Sequence, residues 1–190
     1  MPDSEPADIR SLFDQLDDAE RNARAIAKGL SAEDGTRRPR PGAWSIAECL
    51  DHLATGNRVY VRAMREPVAR ARARGRLRRG PARPGWIGGL FVWQLEPPAR
   101  WWSRLPSPRK ARPGARGLGE TLTAFCDAQS EVRAFLGEHA DLDLNGIRFP
   151  NPFFPGIRFS LATGLHVITA HERRHLWQAR RVREALGRPI

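Results

Sequence analysis

Residues 171–178 read HERRHLWQ, and they lie in a segment, residues 160–186, whose apolar residues recur at the spacing of a long helix. His171, Glu172 and His175 fit H-E-x-x-H, the pattern that places two zinc ligands and a general base on one helical turn of metalloproteases. At 100° per residue, the two histidines lie about 40° apart, on the only strongly apolar arc of this helix. Both imidazoles are therefore predicted to point towards the core or its edge.

Three other segments show helical spacing of apolar residues: 8–30, a helix that begins after Ser45, and 119–138. Ser45 and Glu48 match the S-x-x-E capping box, and Pro67 is predicted to end or kink the helix that they start. The Pro- and Gly-rich stretch before the last helix is predicted to be a loop. Four long helices without a convincing strand pair predict an all-α fold, a four-helix bundle.

A basic segment, at about residues 67–117, separates the second and third predicted helices. Residues 62–116 hold 15 Lys and Arg against two Glu, so this region carries +13 while the remainder of the chain carries −2. It also contains four of the six tryptophans: Trp86, Trp93, Trp101 and Trp102. We expect a long basic, tryptophan-containing insertion of irregular structure, within a single bundle domain that spans residues 1–190.

Composition favours a cytoplasmic protein. The chain begins with a polar, acidic stretch and has no run of about 18 uncharged apolar residues, so neither a secretory signal nor a spanning helix is predicted. Cys49 and Cys126 are far apart and lack CxxC spacing, which indicates free thiols in a reducing compartment.

A metalloprotease would need a third ligand after the H-E-x-x-H pattern. The 15 residues that follow His175 contain no histidine, and their only acidic residue, Glu184, lies about 13 Å further along the same helix. One rigid helix cannot bring that carboxylate to a metal held by His171 and His175. The sequence therefore argues against a peptidase.

A third ligand can instead come from upstream. His139 lies at the end of the third predicted helix, and His166 lies about 140° around the helix from His171. His52 lies in the second turn of the second helix, on the edge of its apolar stripe. His52, His171 and His175 would form a three-histidine metal site with open coordination positions, which is typical of catalytic sites. Hydrogen bonding of the histidines within the core is the alternative.

Two neighbours of these histidines are candidate supporting residues. Gln178 lies one turn beyond His175 on the same side, where it could hold that ligand from behind or remain a surface amide. Glu172 lies on the opposite flank of the apolar arc, where it could pair with Arg58 or another arginine of the bundle, or bind a ligand.

Two stretches together resemble the DinB/YfiT-like superfamily of metal-binding four-helix bundles, in particular its DinB_2 branch: AWSIAECLDHL at 43–53 and HVITAHERRHLWQARRV at 166–182. The resemblance covers the bundle, about residues 8–66 and 118–186. It implies that the three histidines bind a divalent metal, zinc or nickel, and that Glu172 is incidental. Characterised relatives include S-transferases and isomerases that use low-molecular-weight thiols such as bacillithiol or mycothiol.

Two functions are consistent with these observations. The first is a metal-dependent enzyme, a thiol-dependent S-transferase or a hydrolase, that acts on a small molecule. The second is a non-enzymatic bundle, stabilised by metal, whose Arg-rich segment docks on an anionic membrane through residues 70–104 or on nucleic acid. Nucleic acid is the weaker partner because no recognition motif accompanies the charge. The sequence leaves a homodimer open.

Overall fold

A computed structural model of the protein describes residues 5–98 and 112–188, and its core is a bundle of four long helices. The described helices, in chain order, are α1 (Ala7–Ala27), α2 (Ala32–Thr36), α3 (Ile46–Ala73), α4 (Trp86–Leu95), α5 (Leu118–His139) and α6 (Leu161–Ala185). The four long helices α1, α3, α5 and α6 are those that the sequence predicts. The all-α four-helix bundle is therefore confirmed.

Side-chain caps fix where two of the long helices begin. The Ser45 hydroxyl accepts a hydrogen bond from the backbone N–H of Glu48, whose carboxylate accepts one from the N–H of Ser45 at 2.8 Å. This is the predicted capping box of α3. Ser160 caps α6 in the same way, accepting from the backbone N–H of Thr163 at 3.1 Å. Both caps satisfy backbone donors that a helix start leaves without partners.

The order of the helices around the bundle is not their order along the chain. α3 packs against α5 and α6, and α1 packs against the same two helices. The successive long helices α1 and α3 therefore lie across a diagonal of the bundle. This arrangement places α3 beside α6, the helix that carries the H-E-x-x-H residues.

The second predicted helix does not end at Pro67. α3 continues to Ala73, and Val68 and Ala71 beyond the proline are buried in the core. A proline inside a helix removes one backbone hydrogen bond. The continued burial of apolar side chains offsets that loss. Of the two predicted effects of Pro67, the helix end is therefore wrong, and the kink stays a prediction.

Two segments that were predicted to be irregular contain regular structure. Between α3 and α5 lies the ten-residue helix α4, and before α6 lies an antiparallel pair, β1 (Arg148–Pro150) with β2 (Arg158–Ser160). In the pair, Phe149 lies opposite Phe159, and both rings are buried in the bundle core. That the region of α4 is an insertion stays a prediction, and Trp101 and Trp102 lie outside the described residues.

Within residues 5–98 and 112–188, no helix is both long enough and apolar enough to cross a membrane.

Gly164 provides a test of the packing between α6 and the strand pair. A Cβ on Gly164 would lie 2.7 Å from Phe149 Cζ and 3.2 Å from Met64 Sδ, and both of these side chains are fully buried. We expect Gly164→Ala to lower the free energy of unfolding by about 1–3 kcal/mol, the usual cost of overpacking, in urea denaturation. Gly137→Ala in α5 is the matched control, since its Cβ would come no closer than 3.8 Å, to Phe13 Cζ. The control should raise stability by up to about 1 kcal/mol, and equal stabilisation by both variants would contradict the packing.

Candidate metal centre

Three histidines from two helices meet at one point of the bundle. His52 comes from α3, and His171 and His175 come from successive turns of α6. The ring centroids lie 4.9 Å apart for His52 and His171, and 4.6 Å apart for each of the other two pairs. One ring nitrogen of each histidine lies within 4.8 Å of the others. The structure thus brings together the three residues that the sequence singles out.

The spacing of the nitrogens fits a shared divalent ion. Two nitrogens bound at about 2.0–2.1 Å to one ion lie about 2.8–3.4 Å apart at octahedral to tetrahedral angles. The Nε2 atoms of His52 and His171 are 3.0 Å apart. An all-imidazole donor set suits zinc and nickel, as well as copper and iron. The pair from His52 and His171 lies within this range of separations, and metal binding by the three residues stays a prediction.

Burial keeps two of the imidazoles neutral. Desolvation, with the nearby charges of His52 and Arg174, lowers the pKa of His171 to about 3. Desolvation also lowers the pKa of His175 well below its usual range, and His171 adds to the effect. Histidine binds a metal in its neutral form. Both side chains are therefore in the metal-binding protonation state at neutral pH.

Gln178 contacts the cluster from behind His175. Its Oε1 atom lies 3.1 Å from His175 Nδ1, and because an amide oxygen only accepts, the proton lies on Nδ1. This tautomer leaves the lone pair of His175 Nε2 available for a metal. The contact favours the supporting role of Gln178 over that of a surface amide.

Glu172 lies inside the bundle rather than at the cluster. Its Oε1 atom accepts a hydrogen bond from Asn57 Nδ2 at 2.7 Å, and the amide of Gln129 lies nearby. Arg58, the partner that the sequence suggested, instead pairs with Glu131. Among the described residues, the cluster of ligand atoms contains the three histidines and not Glu172. The buried carboxyl takes amide donors, so the general-base role of the protease pattern has no counterpart here.

The pKa of Glu172 reflects this environment. Burial raises it to about 8, although the amides of Asn57 and Gln129 act to lower it. The Oδ1 of Asn57 and the Oε1 of Gln129 are buried acceptors without a donor among the described residues. A proton on the carboxyl would add a hydrogen-bond donor to this set of three side chains, which otherwise has an excess of acceptors. The neutral acid is thus the form that this part of the core stabilises.

Trp44 covers one side of the cluster, which the sequence did not reveal. Its ring lies 4.8 Å from that of His52 and stacks on that of His175 with a centroid distance of 5.4 Å. In the sequence, Trp44 stands just before Ser45, the residue that caps α3. Its ring shields two of the three imidazoles from water.

Arg174 brings positive charge to the edge of the cluster. Its charge lowers the pKa of both His171 and His175. Its guanidinium donates to the backbone carbonyl of Gln94 in α4 at 3.4 Å, and burial lowers its own pKa. An anion bound beside the three histidines would therefore meet a partly desolvated cation, which interacts more strongly than an exposed one.

Other residues considered from the sequence lie elsewhere. His166 bonds to the backbone carbonyl of Ala82 at 3.2 Å, and His139 packs on Phe135 near the end of α5. Cys49 is fully buried, and burial raises the pKa of its thiol. None of these side chains belongs to the cluster, and Cys49 is not poised to act as a nucleophile.

The raised pKa of Glu172 predicts a specific pH dependence of stability. Because its folded pKa of about 8 exceeds the ordinary 4.5, the carboxyl stabilises the fold fully below pH 4.5, and this contribution is lost as pH rises through 8. We expect Glu172→Gln to flatten the fall in the free energy of unfolding between pH 5 and 8, measured by urea denaturation of metal-free protein. Glu184→Gln, at a partly exposed position of the same helix, is the control and should leave the slope unchanged. A wild-type slope that persists in Glu172→Gln would refute the assignment.

Comparison with known proteins supports the fold that these residues build. The DinB superfamily, in its DinB_2 form, matches residues 15–179. No curated protein is significantly similar to the chain in sequence. The solved structure of YfiT from Bacillus subtilis, described as a probable metal-dependent hydrolase with an unusual four-helix bundle topology, is similar with a TM-score of 0.58. The similarity covers 98% of this chain and 93% of that chain at 14% sequence identity, and it shows the fold alone.

The family match extends over most of the chain and includes both α3, with His52, and the part of α6 that carries His171 and His175. The chain belongs to the DinB superfamily.

Proposed function

We propose that the protein is a divalent-metal-dependent enzyme in which His52, His171 and His175 hold the ion. The convergence of these three imidazoles, from two helices and with no carboxylate or cysteine among the ligand atoms of the described cluster, carries this proposal. Structural zinc sites are usually filled by four protein ligands, whereas three leave a position for a reacting molecule. The donor set therefore favours catalysis over a purely structural ion.

The chain's own residues prepare this site. A bound divalent ion would lower the pKa of a coordinated water or thiol and so supply a nucleophile near neutral pH. Gln178 fixes the tautomer of His175, which leaves the lone pair of its Nε2 atom available for the ion. Trp44 covers one side of the histidine cluster, where water would otherwise hydrate the nucleophile or the substrate. Arg174 supplies a cation for a negatively charged part of the substrate.

Hydrolysis is the reaction that we put first. It requires only the ion and water, and the structurally similar YfiT is described as a probable metal-dependent hydrolase. Transfer of a low-molecular-weight thiol uses the same activation, and the family resemblance supports it as the second candidate. Cys49 does not take the place of that thiol, because it is buried and its pKa is raised. Product formation that requires added thiol would favour transfer, and formation without thiol would favour hydrolysis.

Elemental analysis tests the metal site directly. We expect purified wild-type protein, supplied with zinc or nickel, to retain about one ion per chain, and His52→Ala or His171→Ala to lose it. The control is His166→Gln on the same helix, which keeps a donor for the Ala82 carbonyl and should bind as wild type does. Circular dichroism verifies that each variant is folded. A folded wild-type protein that binds neither ion would refute the three-histidine site.

Arg174 gives a test of substrate class. With metal-loaded protein and a panel of small esters and amides, we expect Arg174→Ala to raise KM for carboxylate-bearing substrates about 10- to 100-fold, as loss of a charged hydrogen bond does. Uncharged substrates should be little affected, and Arg174→Lys should restore part of the binding. Arg180→Ala, at an exposed position of the same helix, is the control. Equal losses on charged and uncharged substrates would show that Arg174 does not select anions.

A further inference from the structure

The helix α4 is apolar on both of its faces. One face packs on α6 and the strand pair through Gly88, Phe91 and Leu95, and a Cβ on Gly88 would lie 2.5 Å from the Thr163 side chain. The ring of Phe91 packs against that of Phe159 at a centroid distance of 5.3 Å, with the two planes tilted by 60°. This face fixes α4 to the body of the protein.

The opposite face of α4 carries large apolar side chains in solvent. Trp86 is 87% exposed and Ile87 is 69% exposed, with Leu90 and Trp93 following at helical spacing on the same side. Of the seven large apolar side chains of the described chain that are strongly exposed, five lie between Leu77 and Trp93. Single exposed apolar residues are ordinary, but a contiguous exposed patch marks a surface that something covers.

The chain that leads into this face is basic. Arg76 and Arg78 form ion pairs with Asp143 and Asp8, which anchor the segment to the bundle. Within the described part of the chain, three further exposed arginines of this stretch have no carboxylate within ion-pair distance: Arg74, Arg79 and Arg83. Their charge is therefore not neutralised internally, and Arg83 precedes the first turn of α4 by three residues. The covering surface should be negatively charged as well as apolar.

We propose that α4 docks on the surface of an anionic lipid membrane, with its exposed face in the headgroup and acyl boundary. A helix with Trp, Ile and Leu on one side and arginines beside it is typical of proteins that lie in this interface. Ten residues give α4 a length of about 15 Å, half of the hydrocarbon thickness, so it lies on the bilayer rather than across it. The membrane supplies both the apolar contact and the negative charge that the segment lacks.

Two other occupants fit the surface less well. A two-fold contact between copies of this chain would place the same uncompensated arginines of both chains close together, and like charges repel. Nucleic acid would neutralise the arginines, but its phosphate backbone offers nothing that buries Ile87 and Leu90. Lipid is the partner that satisfies both halves of the surface.

Co-sedimentation with vesicles tests the apolar half of this proposal. We expect wild-type protein to bind vesicles of phosphatidylcholine mixed with phosphatidylglycerol, and the double variant Trp86→Ser, Leu90→Ser to bind at least about tenfold more weakly. The control is Trp177→Ser, which removes a partly exposed tryptophan from α6. We expect both variants to fold, because the packed face of α4 is unchanged, and circular dichroism verifies this. Binding by the double variant that equals that of the control would overturn the proposal.

The charged half needs its own variant. Replacing Arg79 and Arg83 by Gln should weaken binding to the mixed vesicles and reduce its dependence on salt, because fewer charges then face the lipid. Replacing Arg21 and Arg180, exposed where α1 meets α6, by Gln removes the same charge elsewhere and should have little effect. If the two double variants weakened vesicle binding equally, only the net charge of the protein would matter. That result would contradict the proposal that the arginines before α4 contact the lipid.

Other outcomes also contradict the proposal. Equal binding to vesicles of phosphatidylcholine alone would remove the anionic requirement. A dimer, detected by sedimentation, that the Trp86→Ser, Leu90→Ser variant dissociates would assign the face to a second copy. Binding of duplex DNA or RNA in the absence of vesicle binding would assign the arginines to nucleic acid.

Discussion

The close approach of α3 to α6 is the constraint on which the candidate site depends. His52 and His171 are 119 positions apart in the chain, yet their Nε2 atoms are 3.0 Å apart. Gly56, one turn beyond His52, lies so near that a Cβ would be 3.5 Å from His171 Cε1, an ordinary van der Waals contact. The approach therefore results from the packing of the two helices as a whole, and not from a single missing side chain. Burial at this contact in turn keeps the α6 imidazoles neutral.

Much of this arrangement was predictable because it follows from helical periodicity. Apolar spacing gives the four long helices, the capping box gives the start of α3, and helical phase places His171 and His175 on one side of α6 while turning His166 away. Those features depend on residues within a few positions of one another. They require no knowledge of what packs against them.

The features that the sequence missed depend on contacts between distant segments. The segment that contains Gly88 was predicted to be irregular, yet the lack of a side chain at Gly88 is what lets helix α4 approach Thr163. The pairing of Phe149 with Phe159 and the position of Trp44 over the imidazoles likewise arise from packing between segments. Burial beyond Pro67 prolonged α3 for the same reason. Proline or glycine inside a helix raises its free energy, and tertiary packing decides whether other contacts offset that increase.

The diagonal placement of α1 and α3 has a consequence for how the protein folds. α1 cannot complete a stable pair with α3, the long helix that follows it, because α1 packs on α5 and α6, which come later in the chain. Contacts between distant residues carry the entropy cost of closing long loops, and they slow folding. During synthesis α1 must therefore wait, with its apolar stripe uncovered, until α5 and then α6 have been made, whereas α3 can already pair with α5. The histidine cluster is completed at that same late moment, so an ion held there would bind only chains whose four helices have all come together.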